Sequence, residues 1–298
     1  MPPFHRSVPL SASLLLAGLC ACVTSSPRIP PGAVVLRFAW PETLSAQVAH
    51  SVVSGEAGGE RIYWWTLEPG EHAGQRRLAV RSGESPDPGL ALLATPEMSV
   101  LFDAEGTFTG YEPPDGSVIQ DLLEAIPPDT EGHAELRRRM DASQEEAARV
   151  RWEQRVGHWR DVMLLPGETV RFATKMWMGH NGLQRDEVEA EERTTVEVGV
   201  ACVPGEAERR CVRLRVETAP LHPYKETEPC EGARARKSFE LVTDPQTLLP
   251  YLTRAMREDE RDWCEEDGTV ATERTREGET FVFTYGLTPP PPGAWTRR

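Results

Sequence analysis

No stretch of this sequence is apolar for long enough to cross a bilayer as a helix. The nearest, Ala12 to Leu19, falls far short of the ~20 residues such a span needs. Positive charge is also scarce: 33 Lys plus Arg stand against 47 Asp plus Glu. A chain so acidic is repelled by nucleic acid and by anionic membrane surfaces, which excludes a nucleic-acid role. The short motifs of common catalysts are missing. There is no Gly-x-Ser-x-Gly, no Gly-x-x-x-x-Gly-Lys, no His-Glu-x-x-His and no dinucleotide fingerprint. His50, His72, His133, His158, His180 and His222 are scattered and read as satisfied or surface side chains. No Cys-x-x-Cys spacing occurs, which argues against a zinc site built from the cysteines and His222. The sequence calls for no metal and no cofactor, and on these grounds for no enzyme.

What is present is a globular chain, with 39% apolar residues and 8 Trp. Most of it reads as strands of period two. Leu36, Phe38 and Trp40 share one face, Val170, Phe172, Thr174, Met176 and Met178 another, and Phe281, Phe283 and Tyr285 a third. Val188 to Val200 alternates with Glu187, Glu189, Glu191 and Glu197 outward, as a strand with one wet face does. Asp103-Ala104-Glu105-Gly106 marks a hairpin with glycine where a left-handed residue is required. Trp64-Trp65 can place only one ring inward. The charged run from Arg254 to Trp263 reads as frayed helix or exposed loop.

The long helix is expected over 133–163. Leu136, Met140, Ala147, Ala148, Trp152, Val156, Trp159 and Met163 fall in steps of three, four or seven, opposite Arg137, Glu145, Glu146, Arg149 and Glu153. A shorter helix is expected over 117–126, ended by Pro127-Pro128. The fold class that follows is α+β, mainly antiparallel β: a curved sheet or half-barrel packed on one long amphipathic helix. It forms a single β-rich domain over 33–288, and Pro289 to Pro292 begins a stiff tail over 289–298.

The first residues carry the most specific motif. Arg6 gives a positive start, Ala12 to Leu19 an apolar core, and the segment closes on Leu19-Cys20-Ala21-Cys22. This resembles the lipobox of bacterial lipoproteins, with 1–21 as signal peptide. The resemblance implies a diacylglyceryl thioether on Cys22 and an acylated amine, palmitate-like chains that together hold a protein to a membrane. Val23 after the cysteine implies the outer membrane of a Gram-negative envelope. Residues 22–32 then form a Pro- and Ser-rich tether. Loss of Arg6 with the leader leaves 32 Lys plus Arg against 47 acids, a mature net charge of −15.

Four cysteines remain beyond Cys22, an even number in an exported chain, and so two disulfides with three connectivities. Cys202–Cys211 and Cys230–Cys264 are favoured, because the first pair flanks the turn Val203-Pro204-Gly205-Glu206. Cys202 shares the parity of Val198 and Val200, whereas Cys211 is out of step with Val212 and Leu214. Either a β-bulge intervenes or the bridge lies beyond the regular ladder.

In architecture alone, with no shared motif, such a tethered half-barrel resembles the lipoprotein-carrier proteins of the periplasm and their outer-membrane receptors. The expectation is a non-enzymatic envelope protein whose concave sheet holds a partner protein or a hydrophobic ligand. Trp40, Trp64, Phe172, Phe281 and Phe283 would line the cavity. A filled core with a structural role, and a hydrolase with dispersed residues, are the alternatives a cavity and its lining decide between.

Overall fold

The computed structural model describes residues 29–82, 98–113, 125–127, 132–178, 186–222, 224–225 and 232–289. Contacts divide the chain at Pro31/Gly32, and everything below concerns the second unit. The expected 117–126 helix lies almost wholly outside the described residues, as do Cys22, Cys230 and all but the first residue of the 289–298 tail.

The chain builds one open antiparallel sheet, curved and not closed on itself. In sequence its strands are β2 (Ser45–Ser54), β3 (Ala57–Pro69), β4 (Arg76–Ser82), β5 (Ser99–Phe102), β6 (Phe108–Glu112), β8 (Thr169–Met178), β9 (Asp186–Val200), β10 (Cys211–Pro220), β12 (Gly232–Thr243), β13 (Pro250–Cys264) and β14 (Val270–Tyr285). In space the order is β6-β5-β4-β3-β2-β14-β13-β12-β10-β9-β8, with short β11 (Tyr224–Lys225) added to β12. Strands β1 (Val34–Val35) and β7 (Met163–Leu164) pair separately. The last strand, β14, joins the two halves by pairing with β2, so the sheet is completed late in the chain.

The helix α1 spans His133–Arg155, shorter than the spacing predicts. At Val156 the backbone leaves helical geometry (φ −134°), a single 3₁₀ turn covers Gly157–Trp159, and Asp161 sits at φ 57°. The Trp159 indole N–H donates to the Gln154 carbonyl at 2.6 Å, satisfying an acceptor that the ended helix leaves open. Met163 therefore belongs to β7 rather than to the helix. Only the last turns of α1 are covered, through Ala148, Trp152 and Arg155, while Leu136 is exposed. The amphipathic stripe is used over its C-terminal part alone.

Two core clusters lie on the inner face. In the first, Trp152 stacks on Phe102 at 4.5 Å and meets Trp40 edge-on at 5.4 Å, above Tyr63, Trp65, Phe281 and Phe283. The Trp152 indole N–H donates to the Gly106 carbonyl at 2.9 Å in a buried site. Gly106 has φ 79°, as the hairpin requires, and the Phe38 ring would lie 2.8 Å from any Cβ placed there. Arg155 enters the same core with its guanidinium 4.4 Å from the centroid of Phe281 and 5.4 Å from that of Trp65, a cation–π contact that pins helix to sheet. The second cluster gathers Leu36, Trp159, Leu164, Val196, Val212, Leu214, Leu241 and Leu248. The segment after β1 connects them. Leu36 N–H donates to the Val162 carbonyl, Arg37 N–H to Pro245 and Ala39 N–H to Thr247, so residues 36–40 cross the sheet as a strap with Phe38 touching both clusters.

Cys202 and Cys211 are bonded. Both expected geometries occur together: the register shifts between Cys211 and Val212, and Cys202 lies beyond the end of β9. Cys264 is also disulfide-bonded, and its expected partner Cys230 falls outside the described residues. The stretch 254–263 differs from its expected form. It is the middle of β13, between β12 and β14, and its charges meet charges across the sheet: Arg274 Nε lies 2.8 Å from Glu260, which also pairs with Arg234. A strand with water on both faces needs no apolar alternation, so period two is not written in it.

Candidate functional site

Register partners point to the same face of a sheet, so the inner face can be followed strand by strand. The deepest row is Val196, Leu214, Leu241, Thr253, Phe281 and His50, all buried. The next row outward runs Val170, Thr194, Val216, Phe239, Ala255, Glu279 and Val52. The one beyond it runs Phe172, Glu192, Thr218, Lys237, Arg257, Glu277 and Ser54. These last two rows are the floor of a cavity of about 1070 Å³. Arg151, Gln154, His158 and Trp159, from the end of α1 and the turn after it, make one wall with Val162, Met163 and Leu164. The helix covers the β3–β6 side of the sheet, and the cavity lies where that cover stops.

The floor changes character with depth. The buried row is apolar apart from His50 and Thr253, the middle row holds small or apolar side chains and one carboxylate, and the outermost is mostly charged. Four large apolar side chains of the lining stay open to water: Phe172 is 54% exposed, Met163 46%, and Val170 and Val53 39% each. Two of them are on β8, which is an edge strand.

Charge at the floor is organised around Glu279. Its Oε2 lies 3.3 Å from His50 Nε2 and 3.4 Å from an Arg151 guanidinium nitrogen. Burial pushes this carboxyl upward, but the His50 hydrogen bond and the charges of Arg151 and Arg155 outweigh it, and its pKa falls below the ordinary value. His50 stacks face to face on Phe281 at 4.0 Å and its side chain is fully buried. It anchors Glu279 from beneath and is sealed from any substrate by the carboxylate above it. On the outer row, Arg257 holds Asp259 through two hydrogen bonds, at 2.6 and 2.9 Å, which raise its guanidinium further above its already high value. Among the described residues no group of three or more His, Cys, Asp or Glu is placed to hold a metal ion. Nor is any helix among them long and apolar enough to cross a membrane.

Of the aromatic residues expected to line a cavity, Phe172 does. Trp40, Phe281 and Phe283 instead pack in the filled core under α1. On β3, Tyr63 and Trp65 face that core, while Trp64 between them points to the opposite face, where it is 7% exposed. The physical reason is the position of the helix: the most aromatic part of the inner face is the part that α1 covers. Beyond Val170 and Phe172, the floor is made of residues that the sequence does not single out. Val216, Thr218, Lys237, Phe239, Ala255 and Arg257 lie at alternate positions on three neighbouring strands, and that parity was the available signal. No protein-family model and no curated protein matches the sequence.

Proposed function

We propose that this chain is a cell-envelope lipoprotein, anchored through Cys22 to the outer membrane, whose concave sheet binds a hydrophobic or amphipathic ligand without transforming it. One observation carries the binding reading. A cavity of about 1070 Å³, at or above the usual ~300–1,000 Å³ of small-molecule sites, opens beside exposed Phe172, Met163 and Val170. Exposed apolar side chains grouped at the mouth of a concavity are kept for something that covers them. A purely structural role is less well supported, because packing is complete under α1 and stops at Trp159. The hydrolase reading has in its favour a histidine and a carboxylate 3.3 Å apart, but that histidine lies under the floor rather than on it.

Native mass spectrometry of the Cys22→Ser protein, exported to a periplasm and so free of its own acyl chains, tests the reading. Adducts of lipid mass that vanish when the middle row is filled by Ala255→Phe support it. A bare mass at every collision energy overturns it. Mass analysis of the wild-type N-terminus tests the anchor, and an unmodified residue at or after position 22 would remove it.

A further inference from the structure

On the outer row Lys237 and Arg257 are direct register partners, two like charges placed opposite each other on the inner face. Such a pair costs stability in a sheet. Elsewhere in this sheet opposite charges meet, as where Arg213 meets both Glu197 and Glu240 and Arg236 meets Glu217, and another opposed like pair, Arg171 and Arg193, is bridged by Glu191. Lys237 and Arg257 both have partners within the protein, Arg257 in Asp259, and these let the sheet hold the two cations side by side. Both side chains line the cavity, one row outward of Phe239 and Ala255. Carboxylates at Glu192 and Glu277 stand to either side of them, two strands and one strand away.

We propose that the cavity selects a single-chain amphiphile with a compact anionic head, a carboxylate or a phosphate monoester, seated on Lys237 and Arg257 with its tail along Phe239, Val216 and Val170. This rests on the binding reading above and names the ligand class it leaves open. The order of the rows fits the order of such a molecule: charge outermost, apolar and small side chains next, then a closed core. A tail entering from the charged row stops at the layer of Leu214, Leu241 and Phe281, all buried. The flanking carboxylates sharpen the choice, because a head that is not anionic gains nothing from the cations, and a wide anion meets Glu192 or Glu277. The net charge of the whole chain, −14, repels an anionic bilayer, so the head is recognised on a molecule taken singly.

Calorimetric titration of the full Cys22→Ser chain with C12 probes below their micellar concentrations tests this. The probes are dodecanoate, dodecyl phosphate, dodecanol and dodecyltrimethylammonium. The two anions are expected to bind about tenfold or more tightly than the alcohol, as a charge-assisted contact in a partly closed site implies. Lys237→Gln should remove that preference and leave dodecanol binding unchanged. Glu192→Gln should strengthen the anions, a gain that a damaged fold cannot imitate. Equal binding of all four probes overturns the head-group inference and leaves the binding reading standing, as does preference for the ammonium. Binding of none removes both.

Discussion

Trp152 is, with Arg155, a residue through which α1 is held to the sheet, and its replacement separates packing from hydrogen bonding. Its ring lies among Phe102, Trp40 and Phe38, and it is 3% exposed. Truncating such a ring to alanine costs ~3–5 kcal/mol through lost transfer energy and the cavity left behind. The Gly106 carbonyl loses its donor as well, and an unsatisfied buried acceptor costs a further ~1–3 kcal/mol. Trp152→Phe keeps most of the stack and loses the donor, so it should cost about 1–3 kcal/mol, well below Trp152→Ala. Against a total of ~5–15 kcal/mol for a domain, the alanine variant gives up a large share of the stability. Urea unfolding with both disulfides oxidised, followed by far-ultraviolet circular dichroism so that the lost fluorophore does not matter, gives the two values. A cost below ~1 kcal/mol for Trp152→Ala would mean that α1 is not docked on this core. Equal costs for the two variants would mean that the hydrogen bond, rather than the packing, holds the helix.

Three further outcomes follow from the same geometry. Glu279 has its folded pKa depressed below 4.5, so its contribution is fully present above that value and is lost as pH falls through the folded one. Unfolding free energies measured between pH 6 and pH 3 should therefore fall less steeply in Glu279→Gln than in the wild type. The Cys202–Cys211 bridge closes a loop of sequence separation 9, worth ~2.5 kcal/mol in the chain-entropy model. The double serine variant should lower the urea midpoint accordingly without changing the binding of dodecanoate. Gly106→Ala drives a Cβ into the Phe38 ring at a backbone angle that side chains avoid, and should cost at least ~1 kcal/mol by the same urea assay.

Much of the architecture is readable in the residues because one face of most strands is buried. Phe281, Phe283 and Tyr285 recur at every second position because the first two meet His50 and Trp65 on the buried face, and the pattern survives into the sequence. Where burial stops, the pattern stops: 254–263 in β13 pairs charge with charge in water, and nothing distinguishes it from a loop. The end of the helix is hidden for the opposite reason. Trp159 continues the apolar spacing but reaches the second core from a 3₁₀ turn, so the stripe outlasts the helix. The cavity is the least legible feature. Its emptiness depends on how far α1 reaches over the sheet, which is a relation between elements distant in the chain and leaves no local mark at Val216, Lys237 or Ala255.

If the two inner rows beyond α1 floor a site that a ligand's tail enters, crystals of the Cys22→Ser protein grown with 12-bromododecanoate will locate that tail, because anomalous scattering places the bromine without prior assumptions. One peak is expected near Phe239, Val216 and Val170, with the carboxylate end toward Lys237 and Arg257. A peak elsewhere on the protein, or side chains filling those rows in the crystal, would refute ligand binding on this floor.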